Sequence, residues 1–187
     1  MRTRTTYLAG IIALPALLAA ASAVPLSFQS GSRVWVSGTS TVRSWRCEST
    51  QVSGSAQAAG TQLSQVAQSS GEITIPLSTL DCRNGTMNGH MRNALKASDH
   101  PTLRFRATSV SVSADGAARM AGPLTIAGQT REVTVTGTAA PQNGKLRVTG
   151  TKQLNMTEFG VQPPRLMAGT MRVNPAVTVG FDVVLGQ

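Results

Sequence analysis

Acidic residues are scarce in this chain: eight Asp and Glu stand against seventeen Lys and Arg in 187 residues. They are scattered, with no near pair of the kind a glycosidase uses as acid and base. Histidine is scarcer. His90 and His100 are the only two, and their separation across a helix end is not metal-ligand spacing. No G-x-S-x-G elbow, H-E-x-x-H pair or Walker loop is present. Aromatics make up 4% of the chain, and the basic residues, among them Arg33, Arg43, Arg83, Lys96, Arg119, Arg131, Lys145 and Lys152, form no run. Nucleic-acid binding needs a clustered basic footprint, so this class is set aside. Past residue 23 no apolar run approaches the ~20 residues of a membrane-spanning helix. What catalytic chemistry remains is Asp99 beside His100, a pair that could orient an imidazole. The plainer reading is preferred: a surface turn in which Asp99 satisfies backbone amides after a helix, so that no catalytic residue, metal or cofactor is expected.

What is present begins with a leader. Arg2 and Arg4 precede the apolar run YLAGIIALPALLAAASA, which ends in the small-x-small pattern Ala21-Ser22-Ala23. Residues 1–23 therefore read as a secretory signal peptide, with an uncleaved anchor as the alternative. Cleavage leaves residues 24–187, enough for one domain with a sizeable core, in a periplasmic or secreted location. In such a compartment the two cysteines, Cys47 and Cys82, are expected to pair. In the chain-entropy model a bridge across that loop is worth roughly 4 kcal/mol.

Most of the remaining sequence alternates with period two, as half-buried strands do. In AVTVGFDVVL, Val177, Val179, Phe181, Val183 and Leu185 share one face. TLRFRATSVSV sets Leu103, Phe105 and Ala107 opposite Arg104, Arg106 and Thr108. RVWVSG, GEITIPL, GPLTIAG, REVTVTG and KLRVTGTKQLNM are further strands, with hairpin turns at 114–117, 127–130 and 141–145. One segment breaks the alternation. Met87, Met91, Ala94 and Leu95 fall at i, i+4, i+7 and i+8, the stripe of a short helix. Asn84 or Asn88 is placed to cap its start, and Asp99-His100-Pro101 to end it. The two histidines then stand as polar fittings at the helix ends. An antiparallel sheet of this many strands protects its edges by closing into a barrel or packing as a sandwich. Of six methionines after the leader, four form i,i+4 pairs, Met87–Met91 and Met167–Met171. Methionine fills cores, and it also suits surfaces that repack around varied apolar ligands.

Five pieces, in order, resemble the YceI-like proteins: VWVSGTSTVRSWRCES (34–49), ITIPLSTLDC (73–82), MNGHMRNALKASDHPTLRFRATSV (87–110), MAGPLTIAGQTREVTVTGTA (120–139) and LNMTEFGVQPPRLMAGTMRVNPAVTVGFDVVL (154–185). The resemblance implies an all-β fold, an antiparallel lipocalin-like barrel of about eight strands with one short helix, occupying residues 24–187. It also implies an apolar tunnel for an isoprenoid-type or other amphipathic lipid. Alternation, helix stripe and segment match together nominate its lining: Trp45, Met87, Met91, Leu95, Phe105, Leu124, Ile126, Phe159, Met167, Met171, Val179 and Phe181. The expected function is a non-enzymatic carrier. The alternative is an envelope interaction protein whose barrel is filled by its own side chains. An envelope membrane or protein partner and a homodimer both stay open.

Overall fold

The structure, a computed structural model, describes residues 23–66 and 69–187. The expected leader, apart from Ala23, lies outside the described residues. Twelve antiparallel strands follow: β1 (Val24–Phe28), β2 (Arg33–Ser40), β3 (Ser44–Ser49), β4 (Ser53–Ala58), β5 (Ser70–Pro76), β6 (Thr102–Ala107), β7 (Ser109–Val112), β8 (Ala117–Ile126), β9 (Gln129–Gln142), β10 (Lys145–Asn155), β11 (Arg165–Leu166) and β12 (Met171–Gly186). A single helical turn, α1 (Leu63–Val66), precedes β5, and the ten-residue helix α2 (Gly85–Ala94) lies between β5 and β6.

The ring runs β12-β10-β9-β8-β6-β5-β4-β1 and closes where Ser27 and Phe28 pair with Gly186 and Leu185. This is the expected eight-stranded barrel. β12 is long enough to serve two partners on that side. Its last residues hold β1, and its first two-thirds hold β2, which carries β3 on its far edge. Two hairpins close as two-residue turns with both central residues at positive φ, Ala127-Gly128 (49° and 77°) and Asn143-Gly144 (50° and 73°). That is the type I′ geometry whose twist matches the strands.

Alternation becomes inside and outside. Val177, Val183 and Leu185 are buried on the inner face of β12, joined by Leu146, Val148 and Leu154 of β10. Two inward aromatics lie flat over glycines across the strand. A β-carbon at Gly38 would fall 2.6 Å from the Trp45 ring, and one at Gly150 would fall 2.7 Å from Phe181. Only glycine leaves room for those rings. One end of the barrel is plugged by Leu26, Val66, Ala118, Ala139, Leu146 and Leu185.

Two expectations need correcting. The run 102–112 is not one strand. β6 pairs with β8 at Phe105–Leu124 and β7 resumes at Ser109–Ala121, one residue out of register. The extra residue is a β-bulge, and it bends the wall where Gly122 passes directly under the Arg106 carbonyl. Pro101 does not end α2 either. The helix stops at Leu95, and Lys96 turns left-handed (φ 52°). Ala97 N–H then donates to Arg92 O (2.9 Å) and Lys96 N–H to Asn93 O (3.1 Å), a Schellman cap with lysine in the glycine position. The backbone closes the helix by itself, and Asp99 contributes its own N–H to Lys96 O (3.0 Å) in the turn that follows.

Candidate functional site

The barrel is open opposite its plugged end, and the sequence of α2 explains how that mouth is covered. α2 contains two glycines and no acidic residue in its first turn, so it has little intrinsic stability. It is held from outside. Asn84 accepts a hydrogen bond from Met87 N–H (2.9 Å), the expected cap. Cys82 is bonded to Cys47 of β3, as expected for the two cysteines. Asp81 and Glu48 exchange a pair of backbone hydrogen bonds, 2.9 Å each. Asn88, one turn into the helix, accepts from Cys82 N–H (2.7 Å) and donates to the Asp81 carboxylate (2.9 Å). The Asn88 amide, then Arg83 N–H, hold the Asp81 carboxyl below its ordinary value.

None of the helix residues is buried. The apolar stripe of α2 borders a cavity of about 560 Å³, with Met91, Ala94 and Leu95 also touching the edges of the packed core. That volume lies within the ~300–1,000 Å³ usual for small-molecule sites. The cavity is walled by inward positions of β2, β3 and β12, by the end of β8, and by the segment from Leu154 to Val173. Below it lies a second cavity of about 190 Å³. Val34, Leu103, Leu154 and Val179 line both, so the two adjoin along the barrel axis.

All twelve nominated lining residues border one of these spaces. Trp45, Met87, Met91, Leu95, Ile126, Phe159, Met167, Met171 and Val179 line the outer cavity. Phe105, Leu124, Val179 and Phe181 line the inner one. Phe159 is the most enclosed, at 1% exposure, and it forms part of the packed wall. The Trp45 Nε1–H is buried and has no acceptor among the described residues.

Sequence reasoning missed several wall residues. Val36, Leu80, Met156 and Val161 also line the outer cavity. The missed polar groups matter more: Ser40, Arg43, Asn84, Thr86 and His90 all border it, on the β2–β3 hairpin and the first two turns of α2. His90 is therefore no end fitting, because it lies in the middle of α2 and faces the cavity. His100 packs its ring against the β8–β9 turn, where a β-carbon on Gly128 would fall 2.5 Å from it. Among the described residues no hydrogen bond joins Asp99 to His100, and no cluster of three His, Cys, Asp or Glu could hold a metal ion. Lys152, one of the spread basic residues, stands in the inward row of β10 with Val148 and Leu154 and borders the inner cavity. Period-two counting from Leu146 reaches it, but its charge argues for the outer face.

Fold and site together define a closed antiparallel barrel with an apolar lumen, filled at one end and hollow at the other. The YceI-like domain model matches residues 28–185, and the chain belongs to that family. Three solved structures share the fold. Burkholderia cenocepacia BcnA superposes with a TM-score of 0.70 at 21% identity, over 82% of this chain and 95% of that one. A polyisoprenoid-binding domain from Saccharophagus degradans, implicated in plant cell wall breakdown, gives 0.66 at 12% identity, over 86% and 97%. The Campylobacter jejuni YCEI protein gives 0.58 at 15% identity, over 72% and 80%. No curated protein matches the chain.

Proposed function

We propose that this protein is an exported, non-enzymatic carrier of an isoprenoid-type or similar amphipathic lipid. The observation that carries the proposal is the methionine stripe of α2 standing over an unfilled cavity. An amphipathic helix normally buries its apolar face. Here Met87, Met91 and Leu95 remain half-buried above a hollow whose deeper walls are aliphatic and aromatic. A chain entering the lumen completes that burial, at about 25 cal/mol per Å² of apolar surface removed from water. Flexible thioethers suit a tail of variable shape. The polar residues of the outer cavity are gathered at the mouth, which favours tail inward and head outward there, with Arg43 and His90 beside the head and Lys152 deeper on the inner cavity. A ligand oxygen near Trp45 would also give its indole N–H an acceptor.

The shared fold of the Saccharophagus degradans polyisoprenoid-binding domain supports the ligand class. The disulfide supports export to a periplasmic or extracellular space, with residues 1–23 removed as a leader. The two cavities weigh against a barrel filled by its own side chains, the rival reading.

Mass spectrometry tests the proposal. Protein purified without detergent and sprayed under native conditions is expected to carry one long-chain lipid, recoverable in an organic extract. Met91→Trp, which projects an indole into the outer cavity, should leave the barrel folded and reduce lipid content at least about tenfold. A bare chain in the native spectrum, with an empty extract, rejects the carrier.

A further inference from the structure

We propose that the mouth of the barrel docks on an anionic lipid bilayer, so that the lumen opens against the membrane. The loading role this gives the mouth rests on the carrier reading; the docking itself does not.

Two large apolar side chains stand out as exposed among the described residues, Val42 at 68% and Met167 at 75%. They belong to different segments of the chain that meet at one rim. Val42 is at the tip of the β2–β3 hairpin. Met167 begins the short turn 167–169 between β11 and β12. Hydrogen bonds lock the two tips together: Thr41 N–H donates to Arg172 O (3.0 Å), Thr41 Oγ1 to Thr170 O (3.1 Å), and Arg172 N–H to Thr41 Oγ1 (3.2 Å). Met167 also lines the outer cavity, so the apolar tips adjoin the entrance itself.

The charge around them has one sign. The turns that build the rim, 40–44 and 164–173, contain three arginines and no Asp or Glu. Arg43, Arg165 and Arg172 are exposed and have no carboxylate partner among the described residues. Arg165 and Arg172 are direct cross-strand partners in the β11–β12 ribbon. Like charges placed opposite one another destabilise a sheet pair. Met167 and Ala168 are both left-handed, at φ 51° and 53°, a costly conformation for residues with a β-carbon. An exposed methionine, two facing arginines and a strained turn are three unfavourable features at one rim. A bilayer of anionic lipids accounts for the first two: the apolar tips enter its interface and the arginines meet its phosphates.

Vesicle co-sedimentation tests this, using the full chain without its leader. Vesicles of phosphatidylglycerol and phosphatidylethanolamine should retain the protein, and vesicles of phosphatidylcholine should retain it weakly. Binding should weaken with added salt. The double variant Val42→Asp/Met167→Asp, which alters only exposed side chains, should keep the wild-type circular dichroism. It should bind the anionic vesicles at least about tenfold more weakly. Each of Arg43→Gln, Arg165→Gln and Arg172→Gln should cost about fivefold. Docking is overturned if the wild type ignores anionic vesicles, or if the double variant binds as well as the wild type. It is equally overturned if light scattering finds a dimer that Met167→Asp dissociates, since a second copy then covers the rim. The wild-type organic extract separates this from the carrier reading. Lipid in the extract without vesicle binding sinks docking alone; vesicle binding with an empty extract sinks the carrier alone.

Discussion

Asp182 shows how much one side chain on the outer face holds together. It is buried at 6% exposure although its strand position points away from the lumen. Arg147 of β10 grips it with two hydrogen bonds of 2.7 Å, and Arg33 of β2 adds a third of 3.0 Å. Three strands are thereby pinned where β12 passes between its partners. The Arg147 hydrogen bonds, followed by its charge and by Arg33, hold the Asp182 carboxyl below its ordinary range. A depressed pKa in the folded state means stabilisation that is complete above the unfolded value, about 4, and is lost as pH falls through the folded value. Asp182→Asn should therefore destabilise the protein at pH 7 by about 1–2 kcal/mol, below the cost at a fully buried pair because both guanidiniums stay half in water. Denaturant titrations at descending pH should show wild type and variant converging once the medium is more acidic than about pH 4. A constant gap across that range would assign the loss to packing.

At the scale of elements, α2 is the part that the rest of the structure must hold in place. Its ten residues are too few for a stable isolated helix. The Cys47–Cys82 bond, the Asp81–Glu48 bridge and the Asn88 side chain tie its start to β3. The Schellman cap closes its other end. Cys47→Ser/Cys82→Ser should lower stability by up to about 4 kcal/mol. Amide exchange should report where the effect falls: protection across residues 85–94 lost first, with β9, β10 and β12 keeping theirs. Uniform loss across barrel and helix would make the bridge a staple of the whole fold and remove the idea of a tethered cover. The stripe of this helix was legible from spacing alone, because Met87, Met91 and Leu95 lie on one face of any α-helix. Its end was not. A left-handed lysine is set by the chain turning back toward β6, and local propensity gives no sign of it. The bulge at 106–108 was hidden for a similar reason, since an alternating run looks the same with or without a register shift against its partner.

For the whole molecule, period two distinguished inner from outer faces on the strands it was read from, with Val177 to Leu185 the clearest case, while β1 and β11 went unread. Asn143-Gly144 announced its turn, and the five family segments gave the barrel and its strand number. Alternation names faces, however, and leaves partners open. That Ser27 would meet Gly186 depends on closure of the entire ring. The lining residues on strands were legible for the same reason as the faces. Arg43, His90 and Lys152 were not, because a charged or polar side chain gives no hint that it borders a cavity.

The central claim is that the lumen itself takes the apolar chain, and the two tryptophans offer the most direct test. Both border the outer cavity, but strand alternation sets their rings on opposite faces: the Trp45 ring lies over Gly38 in the inward row, whereas the Trp35 ring covers Gly180 on the outer wall with the Arg46 guanidinium 4.3 Å from its centre. Titration with a long-chain amphiphile brominated along its tail should quench the fluorescence of Trp35→Phe, which keeps Trp45, and leave Trp45→Phe almost unchanged. Equal quenching in the two variants, or none in Trp35→Phe, would contradict the account.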